Sequence, residues 1–187
     1  MPRTLFCLCL AAGALALLAT PVAVADPPFD RFASAAPLDG EVFVLVNTNS
    51  GRCLTVKDGS KDAGADVVQG PAATEAGPAE RWKAVSVGGL YKLVNVNSGK
   101  VLAVPEGSKV KGKEIIQWDD RDDGDLMEQR WQFVKSGKHY TLRSQCSGML
   151  LAVAEGRKED KARVIQWEPT RTAEQLWYVQ WVPGAGN

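Results

Sequence analysis

The sequence predicts an all-β domain made of three equal units, each with four short strands. Gly51, Gly99 and Gly148 lie 48 and 49 residues apart, and the residues around them repeat. Within each copy, bulky apolar residues alternate with a period of two, which is typical of strands with one buried face. No stretch has the periodicity of an amphipathic helix. The units span about residues 41–88, 89–136 and 137–182, and are called units 1, 2 and 3.

Further landmarks keep the same order and spacing in every unit. They are Leu54, Leu102 and Leu151, then Gln69, Gln117 and Gln166, and finally Trp82, Trp131 and Trp177. Recurrence at a fixed period predicts a repeat architecture in which no single unit can bury its own apolar face. The three units are therefore expected to close around one shared core, with the three landmark tryptophans inside it.

The four strands of a unit follow from local patterns. The first strand carries an aromatic-x-Leu pattern, as in Phe43-x-Leu45, and ends at a Ser-Gly turn where glycine can adopt a positive φ. The second strand reads CLTV, VLAV or LLAV. A polar segment then precedes the third strand, DVVQ, EIIQ or RVIQ. The fourth strand carries the landmark tryptophan.

Twelve such strands could close as a three-bladed propeller or as a barrel capped by three hairpins. Propellers typically have four or more blades, so the barrel is favoured. The S-G-x-x-L-x-V hairpin, the V/I-V/I-Q strand and the Q-x-W motif at 129–131 and 175–177 resemble those of ricin-type β-trefoil lectins. Unit 1 has the variant Glu80-Arg81-Trp82. The resemblance covers about residues 41–182 and implies a β-trefoil.

The resemblance also implies one shallow sugar pocket per unit. In the family, an Asp before the last Val of the second strand accepts hydrogen bonds from sugar hydroxyls, and an aromatic ring stacks on the pyranose. An Asn or Gln near the Q-x-W motif completes the pocket. This chain departs from that pattern at both positions. It has Thr55, Ala103 and Ala152 for the Asp, and Pro71, Asp119 and Glu168 for the ring.

Trp118 and Trp167 directly follow the landmark glutamines of units 2 and 3, one residue before the expected ring position. Strand alternation with Ile116 and Ile165 facing inward predicts that both tryptophans pack in the core. Alternatively, a bulge at the end of the strand would turn them outward as platforms for a sugar.

Polar and aromatic residues near these strand ends form the candidate carbohydrate site. They are Gln117, Trp118, Asp119, Asp120 and Gln129 in unit 2, and Gln166, Trp167, Glu168 and Gln175 in unit 3. A carboxylate displaced by one strand could replace the missing Asp if the sugar binds in a shifted pose. The competing interpretation is solvated surface, with the glutamines bonded to backbone. Unit 1, with Gly70 and Pro71, is the least favoured site.

Other functions find little support. The 22 basic and 22 acidic side chains balance, so nothing indicates a nucleic-acid partner. His139 is the only histidine, which excludes a metal site built from several histidines. The acidic run DDRDDGD at 119–125 lacks calcium-loop spacing and is interpreted as a solvated loop. No nucleophile motif or phosphate loop is present. We therefore expect neither an enzyme nor a cofactor.

The N-terminus predicts secretion. Arg3, an apolar run from Leu5 to Leu18 and an A-x-A site at 23–25 are typical of a signal peptide over residues 1–25, too short to span a membrane. Residues 26–40 are interpreted as a flexible leader and 41–187 as the domain. Of the four cysteines, Cys53 and Cys146 would remain, either bridged or as two thiols.

The sequence therefore predicts a secreted, non-catalytic protein that binds glycans or polysaccharide. The alternative is a protein-binding trefoil, either an adhesion element or a protease inhibitor, that has lost sugar binding. Loss of all three Asp positions favours the alternative, and the lectin-like framework favours the first hypothesis. A purely structural module of a larger assembly is a third hypothesis.

Overall fold

The computed structural model describes residues 39–121 and 126–182, which form twelve strands joined by turns and short 3₁₀ segments. The strands are β1 (Val42–Asn47), β2 (Arg52–Val56), β3 (Val67–Ala72), β4 (Arg81–Val87), β5 (Leu90–Asn95), β6 (Val101–Ala103), β7 (Ile116–Trp118), β8 (Trp131–Ser136), β9 (His139–Ser144), β10 (Leu150–Val153), β11 (Val164–Trp167) and β12 (Trp177–Trp181). The predicted four strands per unit are confirmed.

Six of these strands close a barrel. In order around the ring they are β1, β4, β5, β8, β9 and β12, all antiparallel, and the pairing of β12 with β1 closes the circle. The remaining strands form three hairpins, β2–β3, β6–β7 and β10–β11, each attached to the first strand of its own unit. This arrangement is the predicted β-trefoil.

The core lies inside the barrel and beneath the hairpins. Phe43 and Leu45 of β1 are fully buried, as predicted, but the residues between them are buried as well, so β1 is covered on both faces rather than one. Trp82, Trp131 and Trp177 are also fully buried, and their indole N–H groups donate to the carbonyls of Leu54, Leu102 and Leu151 at 2.9–3.1 Å. Each landmark tryptophan therefore fastens the hairpin of its unit to the barrel.

The Ser-Gly turns adopt the predicted conformation. Gly51, Gly99 and Gly148 have φ of 71°, 72° and 72°, a region that L side chains enter only at a cost. Their amides donate to the carbonyls of Asn47, Asn95 and Ser144 at 2.8–2.9 Å, which reverses the chain between the first and second strands of each unit.

The predicted signal peptide and nearly all of the predicted leader lie outside the described residues. At the end of the leader, Asp39 accepts a hydrogen bond from the amide of Ser86, and Gly40 donates to the carbonyl of Ala84, both at 2.8 Å. Cys53 and Cys146 are both free thiols, so the disulfide alternative is not realised. Within residues 39–121 and 126–182, no helix has the length and apolar character that crossing a bilayer requires.

Candidate functional site

The landmark glutamines connect neighbouring units and line neither of the two cavities described below. The Oε1 atom of Gln117 accepts from the hydroxyl of Ser98 at 2.6 Å, while its Nε2 donates to the carbonyls of Ser60 and Asp62, both at 2.9 Å. The hairpin of unit 2 is thereby tied to the polar loop of unit 1. Equivalent bonds join Gln69 to Ser50, Arg157 and Glu159, and Gln166 to Ser147, Ser108 and Val110. Of the predicted site residues, Gln117 and Gln166 thus have a structural role.

The glutamines of the Q-x-W motifs are also buried, and they bond to backbone. Gln129 donates to the carbonyl of Asp119 at 2.9 Å. Gln175 donates to the carbonyl of Glu168 at 2.7 Å, and its Oε1 accepts from the amide of Thr170 at 2.9 Å. These bonds hold the end of the third strand against the start of the fourth. All four glutamines donate to backbone carbonyls, as the competing interpretation expected, but all four are buried rather than solvated.

The predicted carboxylates are exposed and paired with lysines. Asp119 pairs with Lys100, and Asp120 pairs with Lys92, whose side chain is buried. Glu168 lies 3.4 Å from Lys111 of unit 2. A lysine that occupies a carboxylate in this way competes with a sugar hydroxyl for the same oxygen, so these three acids are weaker acceptors than their exposure suggests.

The expectation that Trp118 and Trp167 pack inward is wrong. Trp118 is 41% exposed, and Trp167 is half-buried at the surface. The residues that enter the main core are Ile115 and Val164, one position before the isoleucines assumed to face inward. Alternation correctly places each tryptophan on the same face as Ile116 or Ile165, but that face is the outer one. No bulge is needed to expose the rings.

Each exposed ring lies against a glycine of the preceding unit. A Cβ atom on Gly64 would lie 3.2 Å from Cζ3 of Trp118, and one on Gly112 would lie 3.4 Å from Cζ3 of Trp167. The amides of both glycines donate to the carbonyls of the landmark glutamines Gln117 and Gln166. At the third junction, between units 3 and 1, the amide of Lys161 donates to the carbonyl of Gln69. Gly70 there occupies the position that the tryptophan has in the other two units.

A cavity of about 300 Å³ opens beside Trp167 in unit 3. Its floor is the outer face of the β10–β11 hairpin, where Ala152 lies opposite Ile165 and Ala154 follows. Trp167 packs against these three buried side chains and forms one wall. The other lining residues are Gly112, Val153, Glu155, Arg163, Glu174 and Gln175. An indole beside a small apolar recess can cover the C–H face of a pyranose.

Charged groups surround the mouth of this cavity. The hydrogen bond and charge of Arg157 lower the pKa of Glu155, which stays ionised at neutral pH. Arg163 pairs with Glu114 of unit 2 at 2.9 Å and lies 3.5 Å from Glu155. Glu174 accepts from the hydroxyl of Thr172 at 2.5 Å. The mouth therefore offers charged acceptors and donors, whereas the floor is apolar.

The equivalent position in unit 1 is smaller and has no aromatic wall. Thr55 donates to Oε1 of Glu80 at 2.6 Å, and the other carboxylate oxygen accepts from the amide of Gly77 at 2.7 Å. Burial and the nearby charge of Glu80 raise the pKa of Cys53 to about 12. The cavity here measures about 170 Å³ and includes Gly70, which lies against the methyl group of Thr55. Thr55 and Glu80 therefore narrow the recess of unit 1 and line it with polar atoms.

Trp167 and Gln175 are the predicted site residues that line the unit 3 cavity. Residues outside the predicted set also line it, among them Ala154, Glu155, Arg163, Ile165 and Glu174. One signal was present in the sequence, because Glu155 belongs to an acid-Gly pair that recurs at Asp58 and Glu106 in the other units. All three acids adopt a positive φ of 54–57°.

Most of the acidic run at 119–125 lies outside the described residues. In the part of the chain that the structure does describe, no group of three or more His, Cys, Asp or Glu side chains is placed to hold a metal ion.

The sequence model of the family described as "Ricin-type beta-trefoil lectin domain-like" matches residues 31–118 and 127–186. The designed threefold-symmetric protein ThreeFoil is 34% identical, with a TM-score of 0.71 over 77% of this chain and all of that chain. An exo-β-1,3-galactanase from Clostridium thermocellum is also 34% identical, with a TM-score of 0.72. That match covers 80% of this chain but only 32% of the enzyme.

A ricin B-like lectin from Macrolepiota procera, solved in complex with lactose, is 14% identical and shares the fold, with a TM-score of 0.66 over 79% of this chain and all of the lectin. No curated protein sequence matches the chain significantly.

Proposed function

We propose, from the premise that this chain belongs to the ricin-type β-trefoil lectin domain-like family, that it is a secreted, non-catalytic carbohydrate-binding protein. Its principal site is the cavity beside Trp167 in unit 3. A second, more open site lies beside Trp118 in unit 2. Unit 1 contributes no site.

The observation that carries the proposal is the surface position of Trp118 and Trp167. An indole exposed at the equivalent place in two of three units loses contact area that it would gain in the core, so an apolar ligand face is a suitable partner. The recess beside Trp167 supplies that contact on a second side through Ala152 and Ile165. Two sites on one rigid barrel would strengthen binding to a repetitive polysaccharide.

The galactanase relative adds one polysaccharide to the test panel. That enzyme is named an exo-β-1,3-galactanase, and the present chain matches about a third of it. β-1,3-linked galactan is therefore one member of a broad panel of polysaccharides. The proposed absence of catalysis rests on the lack of a recognisable catalytic motif in the sequence, and secretion rests on the signal-peptide pattern of residues 1–25.

A protein-binding role remains the second candidate because of one specific observation. Ala103 and Ala152 are buried at the position where the family has its sugar-binding carboxylate, and alanine offers no acceptor. A trefoil that has lost this acceptor could bind a protein through its exposed loops.

The test is binding of residues 26–187 to immobilised polysaccharides and a glycan array, with Trp118→Ala, Trp167→Ala and the double variant. We expect Trp167→Ala to weaken binding at least about tenfold, because stacking and recess contacts are both lost. Trp118→Ala should weaken it less. Tyr178→Ala is the matched control, since Tyr178 is 39% exposed on the barrel strand β12, contacts His139 and lines neither cavity.

Each variant must give a wild-type circular dichroism spectrum and cooperative melting. Binding that is lost equally in the Tyr178 variant would contradict the assigned sites. No binding to any glycan by the folded wild-type chain at high valency would refute the proposed function and favour the protein-binding alternative.

A further inference from the structure

The floor of the unit 3 cavity carries no side chain that can form a hydrogen bond. Ala152, Ala154 and Ile165 make up this surface, and each is at most 6% exposed. The backbone beneath them is already paired, because β10 and β11 form a continuous ladder and the amide of Ala154 donates to the carbonyl of Arg163. The floor therefore presents only methyl and methylene groups.

The charged lining residues are more exposed than the floor, and one of them, Arg163, lies opposite Ala154 on the neighbouring strand. Glu155, Glu174 and Arg163 surround the mouth, and Gln175 is buried with both ends of its amide bonded to backbone. A ligand can therefore satisfy hydroxyl groups at the mouth. A hydroxyl directed at the floor would lose its bonds to water and gain none in return, which is unfavourable.

We propose that this cavity selects a pyranose that carries a methyl group, as an N-acetyl or a 6-deoxy substituent, and places that methyl on Ala152, Ala154 and Ile165. The inference rests on the proposed function and names its sugar class. The ring of the sugar lies against Trp167, and its hydroxyl groups face Glu174, because Glu155 is already paired with Arg157 and Arg163. Replacement of the family carboxylate by Ala152 thereby changes what the site selects.

Comparison with units 1 and 2 supports placing the methyl-selective site in unit 3. In unit 1, Thr55 and the Glu80 carboxylate make the equivalent floor polar. In unit 2, Ala103 lies opposite Ile116, so the floor is again apolar. Ile116 and Trp118 are more exposed than Ile165 and Trp167, however, so a methyl group there would remain partly in water.

The test compares matched monosaccharides against the wild-type chain. The pairs are N-acetylgalactosamine with galactose, N-acetylglucosamine with glucose, and D-fucose with galactose. Affinities are measured by NMR titration, and the indole N–H resonance of Trp167, assigned from a Trp167→Phe variant, reports the location. We expect the methyl-bearing sugar to bind at least about fivefold more tightly than its hydroxyl-bearing partner. This preference should hold in the first two pairs, in the third pair, or in all three. The first two pairs report the N-acetyl source and the third reports the 6-deoxy source.

Two matched variants test the contact itself. Ala152→Ser adds one hydroxyl to the floor and should reduce the preference to about twofold or less, because the floor gains a hydrogen-bonding group. Ala103→Ser makes the same exchange in unit 2 and should leave the preference unchanged. Should Ala152→Ser fail to fold, the wild-type comparison still decides.

The outcomes separate this inference from the proposed function. Sugars that bind at Trp167 with no preference for a methyl group overturn the inference alone. A preference that disappears in Ala103→Ser but persists in Ala152→Ser also overturns it. Absence of binding by every sugar, polysaccharides included, refutes the proposed function.

Discussion

One buried glutamine in each unit connects that unit to its neighbour. Gln69, Gln117 and Gln166 are fully buried, and each joins a serine of its own hairpin to two carbonyls of the preceding unit in the ring. An amide suits this place because it offers an acceptor on one end and two donors on the other. A buried polar group with all its partners satisfied stabilises a particular arrangement of the chain.

Gln117→Ala should therefore lower the free energy of unfolding by about 2–4 kcal/mol, since it removes three bonds and leaves the carbonyls of Ser60 and Asp62 without this donor. Gln132→Ala, at an exposed position of β8, should change it by less than about 0.5 kcal/mol. Urea denaturation followed by far-UV circular dichroism measures both. Equal effects would mean that the three hydrogen bonds of Gln117 add no stability.

At the scale of the hairpin, each surface tryptophan occurs together with a glycine of the neighbouring unit. Trp118 and Trp167 each lie on a glycine of the neighbouring unit, and the junction without the ring has Lys161 at the glycine position. A Cβ atom on Gly64 would press on the indole of Trp118 at 3.2 Å, whereas one on Gly112 would reach Trp167 only at 3.4 Å, which is ordinary contact. The hairpin and the preceding loop therefore act together to hold each tryptophan at the surface.

Gly64→Ala should both destabilise the fold and move Trp118. Gly64 has φ of 86°, and its added Cβ would approach the ring to 3.2 Å. Gly99→Ala is the control, because Gly99 also has a positive φ, of 72°, but nothing lies within 4 Å of its added Cβ. We expect about 1–2 kcal/mol of backbone strain in both. Only Gly64→Ala should shift the indole N–H resonance of Trp118, and a shift in both variants would contradict the contact.

Across the whole molecule the units are joined cyclically, with one link missing. Asn49 of unit 1 donates to the carbonyl of Gly156 at 2.8 Å, and Asn97 of unit 2 donates to that of Gly59 at 2.9 Å. The corresponding residue of unit 3 is Cys146, which has no amide to reach Gly107. The ring is otherwise closed by β1 and β12, so this junction lacks a link that its two counterparts have.

Cys146→Asn should supply the missing link and raise the free energy of unfolding by about 0.5–1.5 kcal/mol. Cys146→Ser is the control, since its hydroxyl is too short to span the same distance, and it should give no gain. Coincident denaturation midpoints from fluorescence and circular dichroism would establish that the units unfold together, as the comparison requires. A gain in the serine variant equal to that in the asparagine variant would refute the proposed bond.

The sequence by itself determined the threefold repeat, the twelve strands, the glycine turns and the buried Trp82, Trp131 and Trp177. Each of these follows from the spacing of residues within one unit, and that spacing recurs in all three units. The tertiary structure alone decided which face of the third strand is buried. A period of two places Ile116 with Trp118, and Ile165 with Trp167, but it does not say whether that face meets the core or water.

The same limit applies to the site itself. The cavity beside Trp167 depends on Gly112 from another unit and on strands that pair only after closure. The spacing of residues within one unit does not predict contacts between units, because those contacts form between segments that are far apart in the sequence. The sequence therefore determined the frame of the molecule, and only the closed barrel decided which side chains face an incoming ligand.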